Sequence, residues 1–299
     1  MKKIILLALL ALPAFAQQRT SAQLGEDLLK LRVLGSVLHV AAHPDDENNS
    51  FLPYLTKEKN YRTAYLSLTR GDGGQNLIGP EQGIELGMIR TKELLAARDM
   101  DGAEQYFTSA YEFGFSKSMD EALQVWDRKK VLADAVWVIR NYKPDVIIAR
   151  FPPDARAGHG HHSASAQIAR EAFDAAADPN QFPEQLANGV SVWQAKRLLW
   201  NTFNFGSINT TNNNQLKIEV GGYNPILAKS YGEIGAEART MHKSQGEGRP
   251  RRRGPSYEFF ETTGGEAPTN DLMDGVQTNW SRFEAEPIQN QINLLVNNY

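Results

Sequence analysis

The sequence contains 299 residues, with 32 basic and 35 acidic side chains and a formal net charge of −3 at pH 7. This mildly acidic balance argues against nucleic acid as a partner, because phosphate binding needs a surplus of basic side chains. The chain has no cysteine, which excludes disulfide bonds, thiol nucleophiles and lipoprotein attachment. A chain of this length can bury a large core, and no segment after the N-terminal apolar run is apolar enough to span a membrane.

The first residues have the pattern of a secretory signal peptide. Two lysines precede an apolar run at Ile4–Leu12, and a small-x-small sequence follows at residues 14–16. The run is too short for a membrane span, so we expect cleavage after Ala16 and a secreted or periplasmic protein; the alternative is an uncleaved anchor or a buried first helix. Residues 17–299 are expected to form one domain with a core at about 36–246. The C-terminal end carries no closing signal, which leaves open a continuation into a longer chain.

Strand-like and helix-like segments alternate along the chain. Apolar, β-rich segments predict strands, and apolar residues that recur every three to four positions predict helices. The predicted strands are Ser36–Ala42, Tyr61–Arg70, Val146–Arg150, Lys196–Phe203 and Gln215–Val220. The predicted helices are Gln23–Leu34, Ile84–Met100, Asp120–Tyr142, His162–Ala176 and Pro225–His242, and loops are expected at Asn209–Asn214 and Gly246–Pro255. This alternation predicts an α/β, Rossmann-like layered fold with a mainly parallel sheet and an active site at the carboxyl ends of its strands.

Two adjacent aspartates, Asp45 and Asp46, follow directly after the first predicted strand. Adjacent carboxylates repel each other, and the simplest explanation is the acidic start of a helix, which the helix dipole favours. A dication between them would also remove the repulsion. His43 precedes Asp46 by three residues, and an imidazole and a carboxylate at this spacing are suited to bind zinc.

The other histidines indicate where further ligands lie. The chain has six, and His159, His161 and His162 fall within four positions after the third predicted strand. If this strand and the first run parallel, the cluster and His43 meet at the same edge of the sheet. The sequence therefore predicts a metal site there, whereas His39, in the middle of a strand, is predicted to be a core histidine with satisfied hydrogen bonds.

The sequence AHPDDE at Ala42–Glu47, with the distant H-x-x-H at His159–His162, resembles the LmbE/PIG-L family of zinc-dependent N-acetylglucosamine deacetylases. The resemblance covers roughly residues 37–245 and includes three further motif-like segments: Thr69–Gly74, Leu86–Ala97 and His242–Gln245. Met100–Ala103 departs from the family's Leu-Gly at that place, so the substrate wall is expected to differ. The extra His161 leaves the alignment of the histidine cluster open by one position.

The resemblance implies roles for individual residues. It makes His43, Asp46 and His162 the ligands of Zn²⁺, although Fe²⁺ would fit the same donors. Asp45 becomes the general base, and His159, as an imidazolium, the group beside the developing oxyanion. The chemistry agrees with these roles, because zinc with three protein ligands lowers the pKa of a water in its open position to about 7.

The substrate-binding residues follow less directly from the sequence. The resemblance implies that Arg90 contacts the substrate, and the alternative for Arg90 is a surface pair with Glu93. Asp72, in the glycine-rich loop, is expected to accept hydrogen bonds from sugar hydroxyls. The basic run Arg249–Arg253 could attract a phosphate or a uronate, but a charge run on a Gly/Pro loop is expected to be solvated.

The leading hypothesis is an exported metal-dependent N-deacetylase that acts on the acetamide of an N-acetylglucosamine-type sugar or glycoconjugate. The alternatives are a zinc amidase for another acyl amide, a catalytically inactive sugar-binding relative and a metal phosphatase. Asp45 argues against the inactive relative, because binding alone would not require a base beside the metal. The expected partner is a small-molecule or glycan substrate that carries an N-acetyl amino sugar, and no oligomeric state is predicted.

Overall fold

The centre of the molecule is a seven-stranded sheet, seen in a computed structural model that describes residues 20–299. The signal peptide and the cleavage point predicted after Ala16 lie outside the described residues. The strands are β1 Ser36–Ala41, β2 Arg62–Ser67, β3 Glu104–Phe107, β4 Val146–Ala149, β5 Arg197–Thr202, β6 Leu216–Glu219 and β7 Tyr257–Gly265. Their order across the sheet is β3-β2-β1-β4-β5-β7-β6.

The direction of the strands agrees with the predicted fold. Strands β1 to β5 are parallel to one another, whereas β7 runs antiparallel to both β5 and β6. All six residues of β1 are buried, as expected for a strand that is apolar without alternation and covered on both faces. The α/β fold with a mainly parallel sheet is confirmed.

Helices cover both faces of the sheet. They are α1 Ser21–Lys30, α2 Phe51–Pro53, α3 Ile84–Asp101, α4 Met119–Val125, α5 Arg128–Tyr142, α6 Gly160–Ala175, α7 Pro183–Ala187, α8 Tyr231–Arg239 and α9 Glu286–Asn297. A π-helical turn, Tyr54–Glu58, continues α2, and two short antiparallel strand pairs join Asn204–Phe205 to Ile208–Asn209 and Tyr223–Asn224 to Lys229–Ser230. Among these described helices, none combines the length and apolarity that crossing a membrane requires.

Alternate residues of β1 belong to different parts of the core, as the two-residue period of a strand requires. Leu38 and Val40 pack in a cluster that includes residues of α4, α5 and α6. Val37 packs on the other face with Phe51 of α2 and Ile234 of α8. The sheet is therefore a covered platform, and its functional groups must lie in the loops at its ends.

Two predicted helices differ from the structure. The helix predicted at Asp120–Tyr142 is two helices, because Asp127 has a left-handed backbone (φ 53°) and its side chain caps α5 by accepting from Lys130 N. The helix predicted from Pro225 begins only at Tyr231, where Ser230 and Glu233 form a capping box. Strands β3 and β7 were not predicted at all.

Candidate metal and catalytic site

The two predicted halves of the site meet at the carboxyl ends of β1 and β4, which are adjacent and parallel. After β1 the chain forms turns up to Ser50 and enters a helix only at Phe51. Asp45 and Asp46 therefore lie in a loop, and the explanation of these residues as an acidic helix start is wrong. The histidine cluster follows β4, with His159 as the N-cap of α6.

His43, Asp46 and His162 place one ligand atom each within 4.8 Å of the other two. His43 Nδ1 is 3.1 Å from Asp46 Oδ2, and His162 Nε2 is 3.3 Å from Asp46 Oδ1. Burial alone would raise the pKa of Asp46, but the two histidines hold it well below its usual range. The carboxylate is thus kept ionised between two imidazoles.

The orientation of His162 indicates what this group can hold. Its Nδ1 lies 3.0 Å from Ala157 O and donates to that carbonyl, so the Nε2 lone pair of the neutral ring faces the carboxylate of Asp46. Two acceptors at this distance require a proton or a cation between them. Burial lowers the pKa of His162, but Asp46 outweighs it and raises the pKa overall. Two imidazoles and one carboxylate, with a backbone partner fixing one ring, suit Zn²⁺ or Fe²⁺.

His161 belongs to a second group of close donors, with His43 and His159. Its ring is fully buried, stacks on Trp126 at 4.7 Å between centroids and meets the edge of Phe113. Burial lowers its pKa to about 2. Its Nδ1 lies 3.2 Å from His43 Nε2, so His161 lies behind His43 and is placed to orient that ring.

Asp45 has an unusual backbone and a fixed side chain. Its φ is 101°, in the left-handed region that non-glycine residues rarely adopt and that often marks functional sites. Arg239 donates to its carbonyl oxygen, Glu47 Oε2 accepts from its N–H at 2.9 Å, and Arg90 Nη2 lies 3.1 Å from its Oδ1. Burial raises the pKa of Asp45, and the Arg90 guanidinium opposes that rise.

Arg90 lies under this loop and is only 4 % exposed. Besides Asp45 it donates to Pro44 O at 2.6 Å and to Gly71 O at 3.1 Å. The alternative prediction of a surface pair between Arg90 and Glu93 is wrong, because Glu93 instead accepts hydrogen bonds from Ser244. The structure therefore gives Arg90 contacts that hold the Asp45 loop, and its contact with substrate stays a prediction.

His159 caps α6 with its side chain, because its Nδ1 accepts from His161 N at 3.2 Å. This hydrogen bond requires Nδ1 to be unprotonated, so the proton of the neutral ring is on Nε2. Burial, and then the neighbouring His43, lower the pKa of His159 to about 4. Both observations favour a neutral His159, available as an N–H donor, over the expected imidazolium, and the role of His159 beside the oxyanion stays a prediction.

A cavity of about 920 Å³ opens over the site, with Asp45, Asp46, His159 and His162 in its wall. Phe151 forms part of the same wall and stacks on His162 with ring centroids 3.8 Å apart. The stacking of Phe151 on His162 was not predicted, since no local sequence pattern marks an aromatic residue that covers a ring of another segment.

Asp72 is not among the residues of this wall. Its Oδ1 accepts from Glu112 N at 3.1 Å and fastens the glycine-rich loop to that segment. The contact of Asp72 with sugar hydroxyls stays a prediction.

Sequence comparison relates the chain to deacetylases. It is similar to 1D-myo-inositol 2-acetamido-2-deoxy-alpha-D-glucopyranoside deacetylase of Geodermatophilus obscurus, with 28% identity over 184 residues, 55% of this chain and 60% of the relative. A relative of the same name, numbered 2, from Frankia casuarinae is 30% identical over 182 residues, 54% of this chain and 55% of the relative. The match thus spans less than two thirds of either relative.

Solved structures share the fold at low sequence identity. N,N'-diacetylchitobiose deacetylase of Pyrococcus horikoshii has a TM-score of 0.51 and 18% identity, with 70% of each chain covered. GalB, the 4-carboxy-2-hydroxymuconate hydratase of Pseudomonas putida KT2440, has a TM-score of 0.53 and 16% identity, with 80% of this chain and 100% of GalB covered. These two names describe different reactions, so the shared fold does not by itself select one.

A family model provides the more specific match. Residues 38–173 match the model of the PIG-L family, described as GlcNAc-PI de-N-acetylase. This range includes most of β1, all of α3 and β4 and most of α6, and so both chain segments that meet at the site. Residues 38–173, the segment that contains His43, Asp46 and the histidine cluster, are therefore similar to the PIG-L family.

Proposed function

We propose that this protein is an exported, metal-dependent N-deacetylase that hydrolyses the acetamide of an N-acetylglucosamine-type sugar or glycoconjugate. The observation that carries the proposal is the convergence of His43, Asp46 and His162 beside Asp45, next to a large cavity that Asp45, Asp46 and His162 line. The family description and the names of the relatives support an acetylated amino sugar as the substrate. The signal-peptide pattern at the N-terminus supports export.

In the proposed mechanism His43, Asp46 and His162 hold Zn²⁺, for which Fe²⁺ is the alternative. When bound, such an ion polarises the amide carbonyl and makes water a better nucleophile at neutral pH. Asp45 accepts the proton of the attacking water. Its raised pKa makes it a stronger base than an exposed carboxylate, and Arg90 and Arg239 fix its position.

The other protein groups handle the charge and the leaving group. As water oxygen bonds to the carbonyl carbon, the carbonyl oxygen becomes negative, and the His159 Nε2–H is the donor proposed to stabilise it. A neutral imidazole is a weak acid, so Asp45 is the better source of the proton that the nitrogen takes up as the C–N bond breaks. The products are acetate and the free amino sugar, with Asp45 again ionised.

Metal analysis combined with acetate release tests the proposal. Purified protein should contain about one equivalent of metal, lose activity with a strong chelator and regain it with added Zn²⁺ or Fe²⁺. A panel of N-acetyl, N-formyl and N-propionyl sugars separates a deacetylase from an amidase of other acyl groups. Full activity in the metal-free protein would refute the mechanism, and acetate release from none of the sugars would refute the substrate class.

Export is tested separately. The protein recovered from outside the cytoplasm of an expressing cell should begin at Gln17. An N-terminus at Met1 in all fractions would contradict the predicted cleavage.

A further inference from the structure

We propose that the same cavity contains an anion subsite formed by Arg150 and Arg252, which binds a carboxylate or phosphate carried by the substrate. This inference rests on the proposed N-deacetylase function and specifies its substrate as an acetylated amino sugar with an acidic substituent.

Arg150 is the first element of the subsite. It follows β4, and its N–H donates to Val40 O at 2.9 Å, which places it at the carboxyl edge of the sheet beside the Asp46 loop. Within residues 20–299, its guanidinium has one hydrogen-bond partner, Asn201 Oδ1 at 3.0 Å, and no carboxylate within 4.0 Å. A guanidinium offers five donors, and a charge removed from water is normally paired. Arg150 is thus a cation with unused donors in the cavity wall.

Arg252 is the second element. The basic run Arg249–Arg253 was expected to be solvated, but three of its arginines and Pro250 form part of the cavity wall. Three arginines of the run are paired with carboxylates: Arg249 with Glu247, Arg251 with Glu237 and Arg253 with Glu233. Arg252 has no such partner in the described part of the chain, and its carbonyl accepts from Ser230 Oγ at 2.9 Å, which ties the loop to the start of α8.

The charges of the cavity wall favour an anion at this place. Six arginines line the cavity, namely Arg150, Arg156, Arg239, Arg249, Arg252 and Arg253. The carboxylates of the wall are already engaged: Asp45 and Asp46 at the proposed metal site, Glu47 with Arg98 and His242, and Glu247 with Arg239 at 2.5 Å. Arg156 is likewise paired, with Asp154. Of the six, Arg150 and Arg252 thus have no carboxylate partner among residues 20–299, and cations in a concave wall concentrate anions.

The chemistry and the size of the cavity define the ligand. Guanidinium groups bind the planar or forked oxygens of carboxylate and phosphate with paired hydrogen bonds. A volume of about 920 Å³ is near the upper end for small-molecule sites, so the cavity has room for an acidic substituent beside the reacting acetamide. The structure thus favours an acidic substrate over plain N-acetylglucosamine.

Matched substrates test the subsite. Acetate release is measured from N-acetylglucosamine, from N-acetylmuramic acid, which adds a carboxylate, and from the 1- and 6-phosphates of N-acetylglucosamine. We expect at least one charged compound to exceed the neutral sugar about ten-fold or more in kcat/KM. Whether the muramic acid or a phosphate shows this increase tells whether the subsite prefers carboxylate or phosphate. Arg150→Gln should lower this preference about 10- to 100-fold, mainly through KM, as loss of a charge-assisted hydrogen bond predicts.

Two further variants keep the test decisive. Arg252→Gln changes an exposed loop residue, so it should fold normally and lower the preference in the same direction. Arg128→Gln is the matched control, because Arg128 is exposed, pairs with Glu171 and is not part of the cavity wall; its preference should stay that of the parent. Equal kcat/KM for charged and neutral sugars in the parent would overturn the subsite. So would the same charged-to-neutral ratio of kcat/KM in Arg150→Gln, Arg252→Gln and the control Arg128→Gln.

Binding separates this proposal from the deacetylase proposal. Calorimetry compares the affinity of glucosamine with those of glucosamine 6-phosphate and muramic acid. If no N-acetyl sugar releases acetate, the proposed function fails, while tighter binding of a charged probe that Arg150→Gln and Arg252→Gln abolish would still support the subsite. Equal binding of all three probes to the parent protein would refute the subsite even if acetate is released.

Discussion

Replacement of Asp45 by glycine and by alanine should separate the chemistry of this residue from the strain in its backbone. A non-glycine residue at positive φ costs about 1–2 kcal/mol, and Asp45 has a φ of 101°. Both variants lose the carboxylate and its ion pair with Arg90, so that loss cancels between them. Alanine keeps the Cβ atom that causes the strain, and glycine removes it.

We therefore expect the glycine variant to be the more stable of the two by about 1 kcal/mol. This value is the relaxed strain minus the larger backbone entropy that glycine loses on folding. Urea unfolding of both variants, followed by circular dichroism under identical conditions, measures the difference. A glycine variant no more stable than the alanine variant would show that Arg90 and Arg239 do not hold Asp45 in a strained conformation.

The same variants test the proposed base. Glycine, alanine and asparagine at position 45 should each lower kcat by about 10²- to 10⁴-fold, because none can accept the proton. Bound metal should stay at the parent level in all three, since Asp45 is not one of the proposed ligands. Retained turnover would refute the general base, and loss of metal would make Asp45 a ligand.

Three further outcomes follow from the site and the core. Asp46→Ala should lose bound metal, because it removes the carboxylate between the two imidazoles; metal analysis at the parent level would contradict this ligand set. His159→Ala should keep its metal and lower kcat about 100-fold, whereas loss of metal would shift the ligand assignment within the histidine cluster. Burial lowers the pKa of His39 from 6.5 to about 3, so the unfolded chain binds this proton more tightly. The contribution of neutral His39 to the free energy of unfolding is complete above pH 6.5 and falls by up to about 1.4 kcal/mol per pH unit toward pH 3. In urea unfolding between pH 7 and 4, His39→Leu should reduce the pH dependence of stability by this share, and identical slopes in variant and parent would refute it.

The parts of the fold that could be predicted are those with strong local patterns. The apolar run of β1 and the helical period of α3 placed both elements within one residue of their observed bounds. The start of α8 was misplaced because Pro225 fits a first helical turn, while the capping box of Ser230 and Glu233 further on determines where the helix begins. Strand β7 was missed because the pattern of its exposed and buried residues follows from its place between β5 and β6, which only the folded sheet defines.

The site follows the same rule. His43 and the histidine cluster could be brought together from sequence, since adjacent parallel strands deliver their loops to one edge. His39 was correctly placed in the core, but neither of its ring nitrogens has a hydrogen-bond partner within residues 20–299. The charge state of His159 and the position of Arg150 depend on burial by segments distant in sequence. No local pattern contains that information.

The wall of the cavity is built from two separate stretches of the chain. The proposed ligands and base lie within the family-matched residues 38–173, whereas the opposite wall comes largely from residues 203–256. Exchange of this later stretch between relatives would alter which substituents the cavity accepts and leave the reacting groups in place. Arg239 is one exception, because it lies in the later stretch and donates to the Asp45 carbonyl. A chimera would have to keep that arginine to inherit a new substrate preference without losing the reaction.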